Sequence, residues 1–297
     1  MSSEIDKSFN IFLVQIEKIL VTQVAVKNST KEQLKILDEI EEFHERHPDQ
    51  TDLTKSYYNT WYKSIIDERE KPLGQIILSN AERKKAAFYH KNKQYLWLLV
   101  EAYEHFSLFL KEVYIQAGVI DSTLWPKADY AKAQELCGGN PAIDQLSKII
   151  ANKKGLSNHV LNQFRKVFPE VKKYDSDNIF GVNLKLALVL IGRMRHQVVH
   201  RAGIVSDKDY FLARVMQEAG VYNNGKFSDE HKSLVDLFMD SGEMKGLIRL
   251  LELPIKRQGG FVWESNIFKV LIGILPAYAE LLLITLKSHE KALEGSM

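Results

Sequence analysis

The sequence has 297 residues, a single cysteine and a formal charge of +2. One thiol cannot close an intramolecular disulfide, and a four-cysteine zinc site is excluded. The 45% hydrophobic content is enough for a packed core, whereas a charge this close to zero argues neither for nor against nucleic acid, because local clustering decides that.

The chain opens without a basic stretch followed by an apolar run, so no signal peptide is expected, and with one thiol a cytoplasmic location is the expectation. Ile5, Phe9, Phe12, Ile16 and Ile19 recur at steps of three and four, which predicts an amphipathic helix. Thr30 is expected to cap a second helix through Leu34, Leu37, Ile40 and Phe43 toward Pro48. A third is expected from Asp52, carrying Tyr58, Trp61, Ile65 and Ile66 and ending near Pro72. No period-two alternation is long enough to predict a strand. Leu73 to Ala117 reads as a long helical stretch with a break near Asn92 and a stop at Gly118. Its apolar face is Tyr95, Leu98, Leu99, Ala102, Tyr103, Phe106 and Leu110.

Residues 121–180 are punctuated by Pro126, Gly138-Gly139-Asn140-Pro141, Gly155 and Pro169, which predicts an insertion of short helices. Asp175-Ser176-Asp177-Asn178 then offers N-caps for a buried helix through Leu184, Leu186, Leu188, Val189 and Ile191, ended by Gly203. Residues 206–262 read as mixed helix and loop. Ile267 to Leu286 is apolar and long enough to span a bilayer. However, it holds Lys269, Pro276 and Glu280, so the expectation is a buried helix or an oligomer interface and no membrane. The resulting fold class is all-α, divided into an N-terminal helical region over 1–90, a bundle extension or a regulatory piece, and a helical domain over 91–290 with an insertion at 121–180.

Chemistry concentrates in Arg195-His196-Gln197-Val198-Val199-His200, with Arg193 and Arg201 on either side. At about 100° per residue, His196 and His200 stack on one helical face and Arg195 lies one residue step away. They sit at the negative pole of the helix dipole, where a protonated imidazole is favoured, and His200 is placed to act as a general acid. An arginine beside it offers a fixed fork to a phosphate. In RNA the 2′-hydroxyl supplies the nucleophile, so neither a metal nor a cofactor is required. Two histidines four apart also fit zinc, but Gln197 stands where a His-Glu-x-x-His protease needs its glutamate base, and no third ligand follows. The plain structural reading is that Arg195 and His200 merely stabilise a helix C-terminus.

The sequence from 90 to 290 resembles the HEPN family. That resemblance rests on an arginine, a polar residue, a gap and a histidine near the end of a core helix. It is strengthened by a preceding long helix with Glu101 and Glu104, a variable insertion and a final apolar helix. It implies a HEPN-like helical bundle. It further implies a homodimer in which two motifs face one another in a composite cleft. Single-stranded RNA would be cut there to a cyclic phosphate and a 5′-hydroxyl. Arg195 and His200 would be catalytic and His196 would assist, with pairing through the helices near Tyr95 and Leu271. Toxins and antiviral effectors belong to this class, so an antitoxin or other regulatory protein is an expected partner. The runner-up is an inactive helical module that binds RNA, a nucleotide or a protein.

Lys148, Lys153, Lys154, Arg165, Lys166, Lys172 and Lys173 meet only Glu170 between residues 146 and 174. By default this is a solvated face. Just ahead of the motif helix, Lys153, Lys154, Arg165 and Lys166, with Arg193 and Arg201, become expected RNA contacts. Arg83, Lys84, Lys85, Lys91 and Lys93 form a second basic run. Tyr57, Tyr58, Trp61 and Tyr62 are read as core aromatics, and Cys137 as inert.

Overall fold

A computed structural model describes the chain except for residues 1–3, 51–54, 130, 133–142, 152–154, 223–225, 241, 243, 257–261 and 296–297. It is mostly helical, in the order α1 (Glu4–Arg46), β1 (Ser56–Lys63), β2 (Glu70–Leu78), α2 (Asn80–Ile120), α3 (Ile143–Ala151), α4 (Leu156–Val167), α5 (Pro169–Tyr174), α6 (Leu184–Arg201), α7 (Lys208–Ala219), α8 (Asp229–Asp236), β3 (Leu253–Lys256), β4 (Val262–Ser265) and α9 (Ile267–Glu294). The chain forms two compact units, one of residues 22–94 and the other of residues 1–21 with 95–297.

In the smaller unit the structure corrects the sequence reading three times. The first two expected helices are one: α1 runs unbroken, and Thr30 sits inside it, its hydroxyl donating to the Val26 carbonyl at 2.9 Å. The expected third helix is an antiparallel hairpin of β1 and β2. Tyr57, Tyr58, Thr60, Trp61 and Tyr62 favour a pleated strand, and Pro72 and Gly74 in β2 disfavour a helix. The aromatics are not core: Trp61 is 58% exposed, and Ile65 in the turn is 99% exposed. Third, α2 starts at Asn80 and passes through the completely buried Asn92 without a break. The basic run on its first turns is partly neutralised, since Lys84 pairs with Asp38 and Glu41. Lys91 is buried, and the Lys93 ammonium lies 5.4 Å over the Tyr89 ring.

The larger unit holds the main core. The predicted stripe of α1 packs on α2, where Phe12 stacks on Phe109 at 5.5 Å and meets Phe106 at 6.0 Å. Ile5, Ile16 and Ile19 are buried on the same face. Leu99, Phe106 and Leu110 of α2 are fully buried, as expected from their spacing. Helix α9 packs against α5 and α6, and α7 packs against α6. Both α1 and α9 are long and apolar enough to cross a membrane. In α9 that character is also what the core uses, because Phe268, Ile272, Leu275, Ala279 and Leu282 are completely buried.

Tyr95 and Leu271 themselves, on the two helices expected to supply a pairing surface, belong to this core. Both are buried, and the Tyr95 ring lies 5.3 Å from Phe268. Neither side chain is free to face a second chain. The same helices do leave Trp97 and Val270 exposed nearby.

Helix α6 is fixed at both ends. Its N-cap is Asn183, whose side-chain oxygen accepts from the Leu186 N–H at 2.8 Å, and not one of the four residues at 175–178. Asp175 is instead buried under α9. There it takes two bonds from Arg165, at 2.7 and 3.1 Å, and one from the Tyr278 hydroxyl at 3.1 Å. At the C-terminus Ala202 and Gly203 both turn left-handed, with φ of 53° and 83°. A Cβ at Gly203 would stand 2.8 Å from the Leu96 side chain of α2, so a larger residue at this left-handed position would crowd it.

Candidate functional site

Leu190, Ile191, Met194 and Val198 turn α6 into the core. The helical period therefore carries the polar residues between them outward. Arg193 and Arg195 are half-buried and His196 and His200 face solvent. The two imidazoles are neighbours, with centroids 4.6 Å apart and planes tilted by 52°.

Beside them lies a cleft of about 440 Å³ lined by residues of α2, α4, α6 and α7. Gly192 lets the wall come close: a Cβ there would stand 3.0 Å from the Tyr103 hydroxyl oxygen. Arg195 and His196 both line this cleft. From α2, Glu104 receives the Arg195 Nε–H at 2.8 Å and its Nη2 at 2.5 Å. Arg193 is held in the same way, its guanidinium donating two bonds to the Glu218 carboxylate of α7. Ser107 and Ser157 share a hydroxyl bond of 2.8 Å in the opposite wall.

His200 is not among the residues that line this cleft; its ring lies tilted against that of His196. Lys153 and Lys154 lie outside the described residues. Lys166 is exposed on α4. Arg165 must be corrected: its side chain is only 10% exposed, it pairs with Asp175, and it stands 5.5 Å over the Tyr278 ring. It is held in a nearly buried ion pair and offers little surface to a nucleic acid. Arg201 is exposed at the helix end, and its Nη1 donates to the Ser206 hydroxyl at 3.0 Å.

The electrostatics suit proton transfer. Desolvation, then His200 and three nearby arginines, holds the His196 pKa below its ordinary 6.5. A neutral imidazole is therefore available near pH 7. Burial pushes the Tyr103 hydroxyl above its ordinary 10, against the pull of a hydrogen bond from Ser157 and of the Arg195 charge. Tyr103 is thus a neutral donor at the back of the cleft. Among the described residues, no three His, Cys, Asp or Glu side chains converge as a metal site would require.

Glu218, Ser157 and Asn158 are cleft residues that sequence patterns did not single out, and Tyr103, read from its spacing as part of an apolar face, also lines the cleft. Glu104 was visible only as part of a long helix. The signal available for it was the presence of a carboxylate on the face of α2 that runs past α6.

These features describe a mostly helical protein with a polar arginine–histidine cleft against its core. Comparison with known proteins adds no relative: no family model, curated protein or solved structure matches the chain.

Proposed function

We propose that the chain is a metal-independent endoribonuclease of the HEPN type that cuts single-stranded RNA as a homodimer. The observation that carries this reading is the joint exposure of Arg195 and His196 to one cleft, with His200 against His196. Arg195 holds a non-bridging oxygen of the scissile phosphate. A neutral imidazole at His196 takes the proton of the 2′-hydroxyl as its oxygen attacks phosphorus. The bond from phosphorus to the 5′-oxygen breaks, and His200 delivers a proton to that oxygen. The products are a 2′,3′-cyclic phosphate and a 5′-hydroxyl. His200 lies outside the cleft of its own chain, which favours a composite site in which it serves the cleft of the partner. Trp97 and Val270 supply exposed apolar surface for pairing. A toxin or defence role, with an antitoxin or another regulatory protein as partner, extends the same reading.

The test is incubation of purified protein with mixed single-stranded RNA in EDTA. Products with cyclic phosphate ends are expected. Alanine at Arg195 or His200 is expected to abolish them without lowering the melting temperature. Undiminished cleavage in either variant removes the assignment.

The second reading is a catalytically inactive module that binds RNA, a nucleotide or a protein. It is favoured by the pairing of Arg195 with Glu104, which already neutralises the guanidinium. It predicts salt-sensitive binding without turnover.

A further inference from the structure

A smaller cleft of about 200 Å³ opens on the other side of His196. Arg193 and His196 line both clefts. The second is completed by the end of α6, the loop that follows it and the start of α7, which contribute Gln197, Arg201, Tyr210 and Arg214.

Its charges are unbalanced. Arg193 is answered by Glu218. Arg201 donates to a neutral hydroxyl, that of Ser206. Arg214 is exposed and makes no ion pair among the described residues. The one carboxylate in the wall is Asp207, and one of its oxygens caps α7 by accepting from the Tyr210 N–H at 2.8 Å. Two guanidiniums thus face a small space with no carboxylate among the described residues paired to them, an arrangement that an entering anion relieves. The charge of Arg214 is felt at Arg193, whose pKa is lowered by burial and then by Arg214.

Two further groups point to what carries the anion. The side-chain oxygen of Gln197 is buried and has no hydrogen-bond donor among the described residues. Tyr210 is 65% exposed at the rim, an aromatic face open to stacking. An anion, a hydroxyl donor and a flat ring are together the parts of a nucleotide.

We propose that this second cleft is a nucleotide subsite. Arg201 and Arg214 grip a phosphate, the Gln197 amide turns into the cleft to accept from a ribose hydroxyl, and the base lies on Tyr210. If the nuclease reading above holds, the ligand is the nucleotide next to the one cut, and His196 stands between the two phosphates. The ligand class does not depend on that reading.

The test is calorimetric titration of the full chain with adenosine 5′-monophosphate, and separately with inorganic phosphate. The nucleotide is expected to bind at least tenfold more tightly than phosphate, and more weakly as salt rises. The double variant Arg201→Gln, Arg214→Gln is expected to lose at least tenfold in affinity at an unchanged melting temperature. Arg214→Lys, which keeps the charge but not the fork, is expected to fall between. Should the double variant melt early, Arg214→Lys and Tyr210→Ala carry the test, each with weaker nucleotide binding expected. Nucleotide binding equal to that of phosphate, or unaffected by these substitutions, overturns the subsite. Binding that behaves as expected in a protein that never cleaves RNA supports the subsite and removes the nuclease reading. RNA cleavage with a KM indifferent to Arg201 and Arg214 does the reverse.

Discussion

The guanidinium of Arg195 and the carboxylate of Glu104, 91 residues apart in sequence, meet at 2.8 Å in the wall of the larger cleft. The cation best placed for a phosphate therefore already has a partner. Their side chains are 31% and 49% exposed, so the pair is solvent-screened and contributes at most about 1 kcal/mol. On the proposed nuclease function, a phosphate that takes the Nε and Nη2 edge of Arg195 displaces Glu104, which makes the carboxylate a competitor of the substrate.

Glu104→Gln is accordingly expected to leave stability within about 1 kcal/mol of the parent while lowering the KM for RNA severalfold. Thermal melting and steady-state cleavage read the two effects separately. A KM that stays the same or rises would mean that Glu104 orients Arg195 for the substrate instead of competing with it.

A second prediction concerns pH. The His196 pKa lies below 6.5, first through desolvation and then through His200, Arg193, Arg195 and Arg201. The sign is set by linkage. The unfolded chain takes up this proton more readily than the folded one, so the stability tied to this ring is present above about pH 6.5 and is lost as pH falls through the lower folded-state value. Histidine NMR titration should show one resonance with a midpoint below 6.5 that is missing in His196→Gln. Phosphate bound beside it should raise that midpoint, since an anion favours the imidazolium. A midpoint at or above 6.5 in the free protein would contradict the assigned environment.

The larger unit was legible where one periodicity had one meaning. Ile5 to Ile19, Leu99 to Leu110 and the apolar positions of α6 follow the 3.6-residue repeat, and their burial agrees with it. The hairpin was not legible, because Tyr58, Trp61 and Ile65 also satisfy a three- and four-residue spacing. The deciding features were the aromatic and β-branched content of β1 together with Pro72 and Gly74. Thr30 shows a different ambiguity: a threonine hydroxyl serves equally as a cap or as a back-bond to the preceding turn, and here it does the latter. Within the site, the Arg195–His200 spacing was readable from one helix. The pairing of Arg195 with Glu104 and of Arg193 with Glu218 was not, since each joins helices whose packing no local pattern encodes.

Arg165 and Lys166 show how far neighbouring cations can part company, and they supply the last prediction. Both were expected to contact RNA, yet only Lys166 is exposed. Arg165 and Asp175 have side chains 10% exposed, and the carboxylate is held in place by the Tyr278 hydroxyl under α9. Removing the guanidinium leaves a nearly buried carboxylate with one neutral donor, a loss of roughly 3–5 kcal/mol. Arg165→Ala is therefore expected to unfold in urea with a free energy lower by that amount. Lys166→Ala should stay within about 0.5 kcal/mol of the parent, as solvated surface positions do. Adding Asp175→Asn to Arg165→Ala should recover part of the loss, because the stranded charge goes with it. Equal stabilities for Arg165→Ala and Lys166→Ala would show that the α4–α5–α9 junction does not depend on this ion pair.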